Sequence, residues 1–147
     1  MPTVSTPNSS SPQVGRRRTA AAVLRFAAVA ALGVSAAVHA ALAGLYGAGL
    51  PGITLGKQFV VQAAVTAVVA GWLLLRDTPL AWLAGAIVMV GTLAAILAAH
   101  TGSGLPQLGP LPGIREQGYD GRQVLTMAAE ALYLVFAAIR VLTRGSR

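Results

Sequence analysis

Two ionisable side chains, His39 and Glu130, stand well inside otherwise apolar runs of this chain. An imidazole and a carboxyl group are natural proton carriers, and an ionisable group inside a bilayer marks a functional site by default. Counted from the ends of their runs, both lie about 9–12 Å below the same membrane boundary. Polar residues recur around them at helical spacing. Lys57, Gln58, Gln62 and Thr66 mark one face of one run. Gln123, Thr126, Glu130 and Tyr133, at steps of 3, 4 and 3 residues, mark one face of another. Ser35 lies one turn before His39, and a further run offers Thr92 and, at its end, His100. These residues would suit proton handling or small-ligand binding. His39 and Glu130 would form the coupled pair, Gln62 and Lys57 would stand beside them, and Thr126 and Tyr133 would complete the face.

Plainer readings of the same residues exist. A buried His39–Glu130 contact can simply fix helix packing, since intramembrane polar contacts serve as glue worth under about 2 kcal/mol. His100 reads as a helix-end histidine at the interface, and Arg25 and Arg140 as snorkelling side chains. No cofactor is predicted. The cofactor alternative is a redox protein in which His39 and His100 hold haem or contact quinone, because histidine is a common axial ligand. By residue count the two lie about 9 Å apart in depth, which opposes a shared iron. His39, His100 and Glu130 could also supply a metal site of imidazole and carboxylate. No phosphate loop, catalytic triad or zinc-protease motif is present, so a non-enzymatic role is expected.

The elements that must position these residues follow from composition. Of 147 residues, 55% are hydrophobic and only 10% charged, too few to cover a water-soluble globule. The net charge of +7 does not point to nucleic acid, because the arginines cluster at the ends of apolar runs. The absence of cysteine excludes disulfides, thiolate metal sites and thiol catalysis. Four apolar stretches, about 20–45, 57–75, 80–100 and 122–143, are each long enough to cross a hydrocarbon core of about 30 Å. None contains an internal proline or alternates with period two, so the fold class is all-α: a polytopic membrane protein with a four-transmembrane-helix bundle.

Residues 1–18 read as a disordered tail ending in the basic run Arg16, Arg17, Arg18, and residues 144–147 as a basic terminus. In the turn at 76–79, Asp77 or Thr78 can cap the following helix and Pro79 suits its first turn. The loop 101–121, rich in glycine and proline, is long enough to be functional, and would partly roof an outward-facing polar pocket formed by the polar residues of the four runs. Arg16, Arg17, Arg18, Arg25, Arg76, Arg140, Arg144 and Arg147 fall on one side, against Lys57, Arg115 and Arg122 on the other. That asymmetry predicts a cell-membrane protein with both termini cytoplasmic. The start of the chain imitates a secretory signal peptide with a small-residue site near 38–40. Its apolar run is too long, is interrupted by Arg25, and continues past that site, all of which oppose cleavage. Small residues at four-residue spacing (Gly33, Ala37, Ala41; Ala81, Gly85; Gly91, Ala95) allow close helix contact within a bundle, with a second copy, or with other membrane subunits.

The segment His-Ala-Ala-Leu-Ala-Gly-Leu-Tyr-Gly at 39–47, the Lys57–Gln58 pair, the third helix running into a Gly/Pro loop, and Glu-Ala-Leu at 130–132 together carry a resemblance. Over residues 20–143 the chain resembles a family of small four-helix membrane proteins of high-GC bacteria, for which no activity is established. In size and number of spans it is also similar to DoxX-like proteins. Small multidrug transporters place an essential glutamate in the first helix, where this chain has Arg25 and His39 instead. The expected role is an accessory subunit, or a small-ligand or proton-handling bundle, held in the lipid bilayer. A purely structural subunit of a larger membrane complex is the remaining alternative.

Overall fold

The computed structural model describes residues 12–101, 104, 106, 113–114 and 118–145. Residues 1–11, most of the 101–121 loop and residues 146–147 lie outside them. Among the described residues there are four α-helices: α1 (Pro12–Leu45), α2 (Leu55–Leu75), α3 (Pro79–His100) and α4 (Gly121–Gly145). All four are long and apolar enough to cross a membrane. The chain is a multi-pass α-helical membrane protein.

Three of the four spans lie within two residues of the expected bounds. The exception is α1, which begins at Pro12 and so reaches back through residues 12–18 of the expected tail. At 1.5 Å per residue its 34 residues measure about 51 Å, well beyond the hydrocarbon thickness. The helix passes through residues 38–40 without a break.

Local chemistry sets the other ends. The Thr54 hydroxyl caps α2 by accepting from the Lys57 amide at 3.2 Å. Thr78, not Asp77, caps α3, accepting from the Ala81 amide at 3.2 Å, and Pro79 takes the first turn. Asp120 and Gln123 form a reciprocal capping box on α4. The Gln123 amide donates to Asp120 Oδ1 at 2.7 Å, and the Asp120 amide donates to Gln123 Oε1 at 3.1 Å.

The helices run up and down in a ring, α1 against α2 and α4, and α3 against α4 and, more sparsely, α2. Large apolar side chains face outward on every helix, among them Val23, Val68, Ile87 and Leu132, as a lipid-facing surface requires. The interior has two layers. In the half nearer the termini, Ala28, Leu32, Leu73, Trp82, Met89 and Tyr133 pack into an apolar core. The buried polar side chains, Ser35, His39, Thr66, Thr92, Thr126 and Glu130, all lie in the other half, among buried Val38, Leu42, Ala43 and Ala99.

Close packing is confined to particular glycines. A Cβ on Gly85 would run into the Tyr133 ring and hydroxyl, and one on Gly56 would meet the backbone of residues 43–48. Gly33 and Gly91 have open space beside them, so they make no tight helix contact within the chain.

Candidate functional site

Helical spacing brings the buried polar residues together as a cluster between α1 and α4. Ser35 stands at its centre. Its hydroxyl donates to Glu130 Oε1 at 2.9 Å, and the Thr126 hydroxyl lies 3.3 Å from the same oxygen and 3.4 Å from Ser35 Oγ. Glu130 is fully buried, and its second oxygen, Oε2, has no hydrogen-bond partner among the described residues. A buried polar atom without a partner is uncommon enough to call for an explanation, such as a proton or a ligand.

His39 joins the cluster indirectly. Its Nδ1 lies 2.9 Å from the Ser35 carbonyl oxygen. A carbonyl only accepts, so Nδ1 carries hydrogen and donates. No described hydrogen bond joins His39 to Glu130. The two residues, expected as a coupled pair, meet through Ser35, one at its carbonyl and the other at its hydroxyl. The helical rise explains this, because a residue one turn from His39 is the one that α1 presents to α4.

The gap between α2 and α3 forms a cavity of about 380 Å³. All four helices contribute walls. His39 comes from α1 and Tyr46 from the turn that follows it, Gln58, Phe59 and Gln62 from α2, Thr92 and His100 from α3, and Thr126 from α4. Ile114 of the 101–121 loop also lines it, so part of that loop does reach the site. On the α2 side Phe59 stands edge-on to both His39 and Tyr46, with ring centres 5.6 and 5.3 Å away. On the α3 side small residues, Gly91, Ala95 and Ala99, alternate with Ile87, Val88 and Ile96. Gly91 and Ala95, expected as packing residues, thus border open space. The Gln62 amide donates to the Thr92 and Thr66 hydroxyls, and Thr92 passes its own hydrogen to the Val88 carbonyl at 2.9 Å. The Gln58 amide nitrogen is buried and has no described partner.

Two expected site residues stand elsewhere. Lys57 is not part of the cavity; its ammonium donates to the Gly52 carbonyl and ties down the loop before α2. At the first turn of α2 the stem reaches that loop more easily than the interior. Tyr133 lies below the polar layer, where its hydroxyl donates to the Trp82 carbonyl at 2.9 Å and its ring stacks on Trp82. It is a packing residue between α3 and α4.

His100 lines the mouth of the cavity. Its Nδ1 and Nε2 lie 2.8 and 2.9 Å from the carbonyls of Ile96 and Gly118, and its ring stacks on Tyr119 at 3.9 Å. Service as an axial haem ligand would require one of those contacts to be given up. Among the described residues no three His, Asp or Glu side chains converge as a metal site, so the alternative ligand set of His39, His100 and Glu130 is not assembled.

At the opposite end a charged cluster closes the bundle. Asp77 accepts from Trp82 Nε1 at 2.7 Å, pairs with Arg140, and lies 3.2 Å from Arg144. Arg144 also donates to the Asp77 carbonyl at 2.9 Å. Arg140, expected to snorkel, is instead a partner in this clamp. Burial acts to raise the Asp77 carboxyl. The Trp82 and Arg140 hydrogen bonds and the two arginine charges outweigh it and hold the group below the ordinary carboxylate range.

Ser35, Gln58 and Thr92 were visible in the sequence only as members of polar stripes. Their contacts depend on how the helices rotate against one another. No known protein family matches this chain, and no curated protein or solved structure is detectably similar to it.

Proposed function

We propose that this chain is a small-ligand-binding and proton-handling bundle of the cell membrane, with both termini cytoplasmic and the cavity facing outward. The observation that carries the reading is the cavity itself. Four separate helices turn polar side chains toward one space of about 380 Å³, a size within the usual range of small-molecule sites. Its walls are chiefly apolar, with Gln58, Gln62, Thr92 and Thr126 as fixed hydrogen-bonding points. An amphipathic molecule with a polar end of a few oxygen or nitrogen atoms fits that lining. Behind Thr126, the Ser35–Glu130 pair offers a carboxyl group that can take up or release a proton as the ligand binds.

Native mass spectrometry of the intact protein, extracted from its own membranes in mild detergent, tests the reading. The expected result is a bound small molecule that is lost in Ala95→Trp, which fills the cavity, and weakened in Gln62→Leu. An empty wild-type protein with a colourless spectrum would overturn it. A Soret band that shifts on reduction and vanishes in His39→Ala would replace it with the haem reading.

A further inference from the structure

A second groove lies at the end of the bundle that carries the termini, between α1 and α4. It measures about 570 Å³ and is lined by Arg16, Thr19, Val23, Leu24 and Ala27 of α1 and by Phe136 of α4. We infer that this groove is a binding site for one anionic phospholipid of the bilayer, its phosphate on Arg16 and an acyl chain against Val23, Leu24, Ala27 and Phe136.

Three observations carry this. The lining is divided along its length, with a guanidinium group and the Thr19 hydroxyl at one end and only carbon further in. Arg16 is 7 residues from Val23 and 11 from Ala27, about 10 and 16 Å along the helix. With a headgroup layer about 5–8 Å thick, that spacing reaches from a lipid phosphate into its acyl region. The charge at this end is also not neutralised within the protein. Asp77, the acidic residue there, is committed to Arg140 and Arg144, while Arg16, Arg17, Arg18, Arg25 and Arg76 have no ion-pair partner among the described residues. Basic clefts between membrane helices are recognised by acidic headgroups, and the countercharge must come from outside the chain. Finally, α1 extends beyond the bilayer core in this direction, which carries Arg16 to the aqueous side of the acyl layer, from where its long side chain can turn back to a headgroup.

The test is lipid retention by the full chain in mild detergent. The protein is incubated with equal amounts of phosphatidylglycerol and phosphatidylcholine, and the bound lipids are counted by native mass spectrometry. One phosphatidylglycerol should be retained in preference to phosphatidylcholine. Arg16→Gln should weaken it about fivefold, the effect of one arginine near an anionic surface. Ala27→Phe should displace it while leaving every charge in place, and Arg122→Gln, at the other end of the bundle, should change nothing. Arg16 is exposed, so its replacement should not disturb the fold, and helicity by circular dichroism should match the wild type in each variant. Equal retention of the two lipids would overturn the inference. So would retention that falls alike in Arg16→Gln and Arg122→Gln but ignores Ala27→Phe, because that describes diffuse attraction rather than a groove. Competition by inorganic phosphate as effective as that by the lipid would also overturn it, since the acyl chain would then contribute nothing.

Discussion

At the scale of single residues, the site is organised by Ser35. It links His39 to Glu130 through its carbonyl and its hydroxyl, and so joins two groups that do not touch. Replacing it with alanine removes the best-placed donor from Glu130 Oε1. Interhelical hydrogen bonds in membranes average about 0.6 kcal/mol and reach about 1.7. Ser35→Ala should therefore destabilise the fold by about 1 kcal/mol, read from reversible unfolding in detergent. Combined with Glu130→Gln its effect should be non-additive, because both changes alter one network. Strict additivity would remove Ser35 from the centre of the cluster. Glu130→Gln alone should leave the protein folded and abolish the pH dependence of ligand binding. An unchanged pH profile in that variant would end its proposed proton role.

His39 and Glu130 were legible in the sequence because an ionisable residue stands out in an apolar run. The link through Ser35 was not, since hydroxyls in membrane helices are common and their partners depend on helix rotation. Lys57 shows the reverse error. Its position on the stripe is right, but at a helix start a long side chain is free to turn back to the preceding loop.

Among the elements, the α3–α4 contact depends on Gly85, whose missing side chain admits the Tyr133 ring. Gly85→Ala should lower stability by about 1–3 kcal/mol, the usual cost of overpacking. Tyr133→Leu in the same chain should recover part of it. Gly33→Ala, which meets nothing within 4 Å, should leave the midpoint of unfolding unchanged. Equal losses in the two glycine variants would contradict the packing described for α3 and α4.

The clamp from the α2–α3 turn to the end of α4 gives a pH signature. Asp77 titrates below its ordinary value in the folded protein. Its stabilising effect is thus complete above the unfolded pKa, about 3.9, and is lost as pH falls through the lower folded value. Thermal midpoints measured from pH 7 down to pH 2.5 should show a drop below about pH 4 in the wild type. Asp77→Asn should begin lower and lack that component. The bounds of α3 were readable because its apolar run and the Thr-Pro start agree; the Asp120–Gln123 box at the start of α4 is seen only in the fold. The early start of α1 was obscured because the polar composition of residues 12–18 outweighs the helix-start signal of a proline following a serine.

For the whole molecule, an up-and-down bundle of four spans follows from hydropathy alone. The division of its interior into an apolar layer and a polar layer is also visible along each helix. A polar pocket beside the 101–121 loop is legible as well, but its apolar walls are not, because they depend on where α2 and α3 separate beyond their short turn, a matter of tertiary geometry. The proposed function requires that this cavity hold water or ligand and open on the side away from the termini. The chain has no cysteine, so a single introduced thiol can be read without background. Ala95→Cys lies in the cavity wall, and Val68→Cys faces outward from the bundle at 70% exposure. Both should be treated in intact cells with a charged, membrane-impermeant thiol reagent, which reacts only with a hydrated thiolate. Ala95→Cys should be labelled from outside and Val68→Cys should stay inert in lipid. Labelling of Ala95→Cys only in inverted vesicles, or no labelling beside a reactive Val68→Cys, would contradict it.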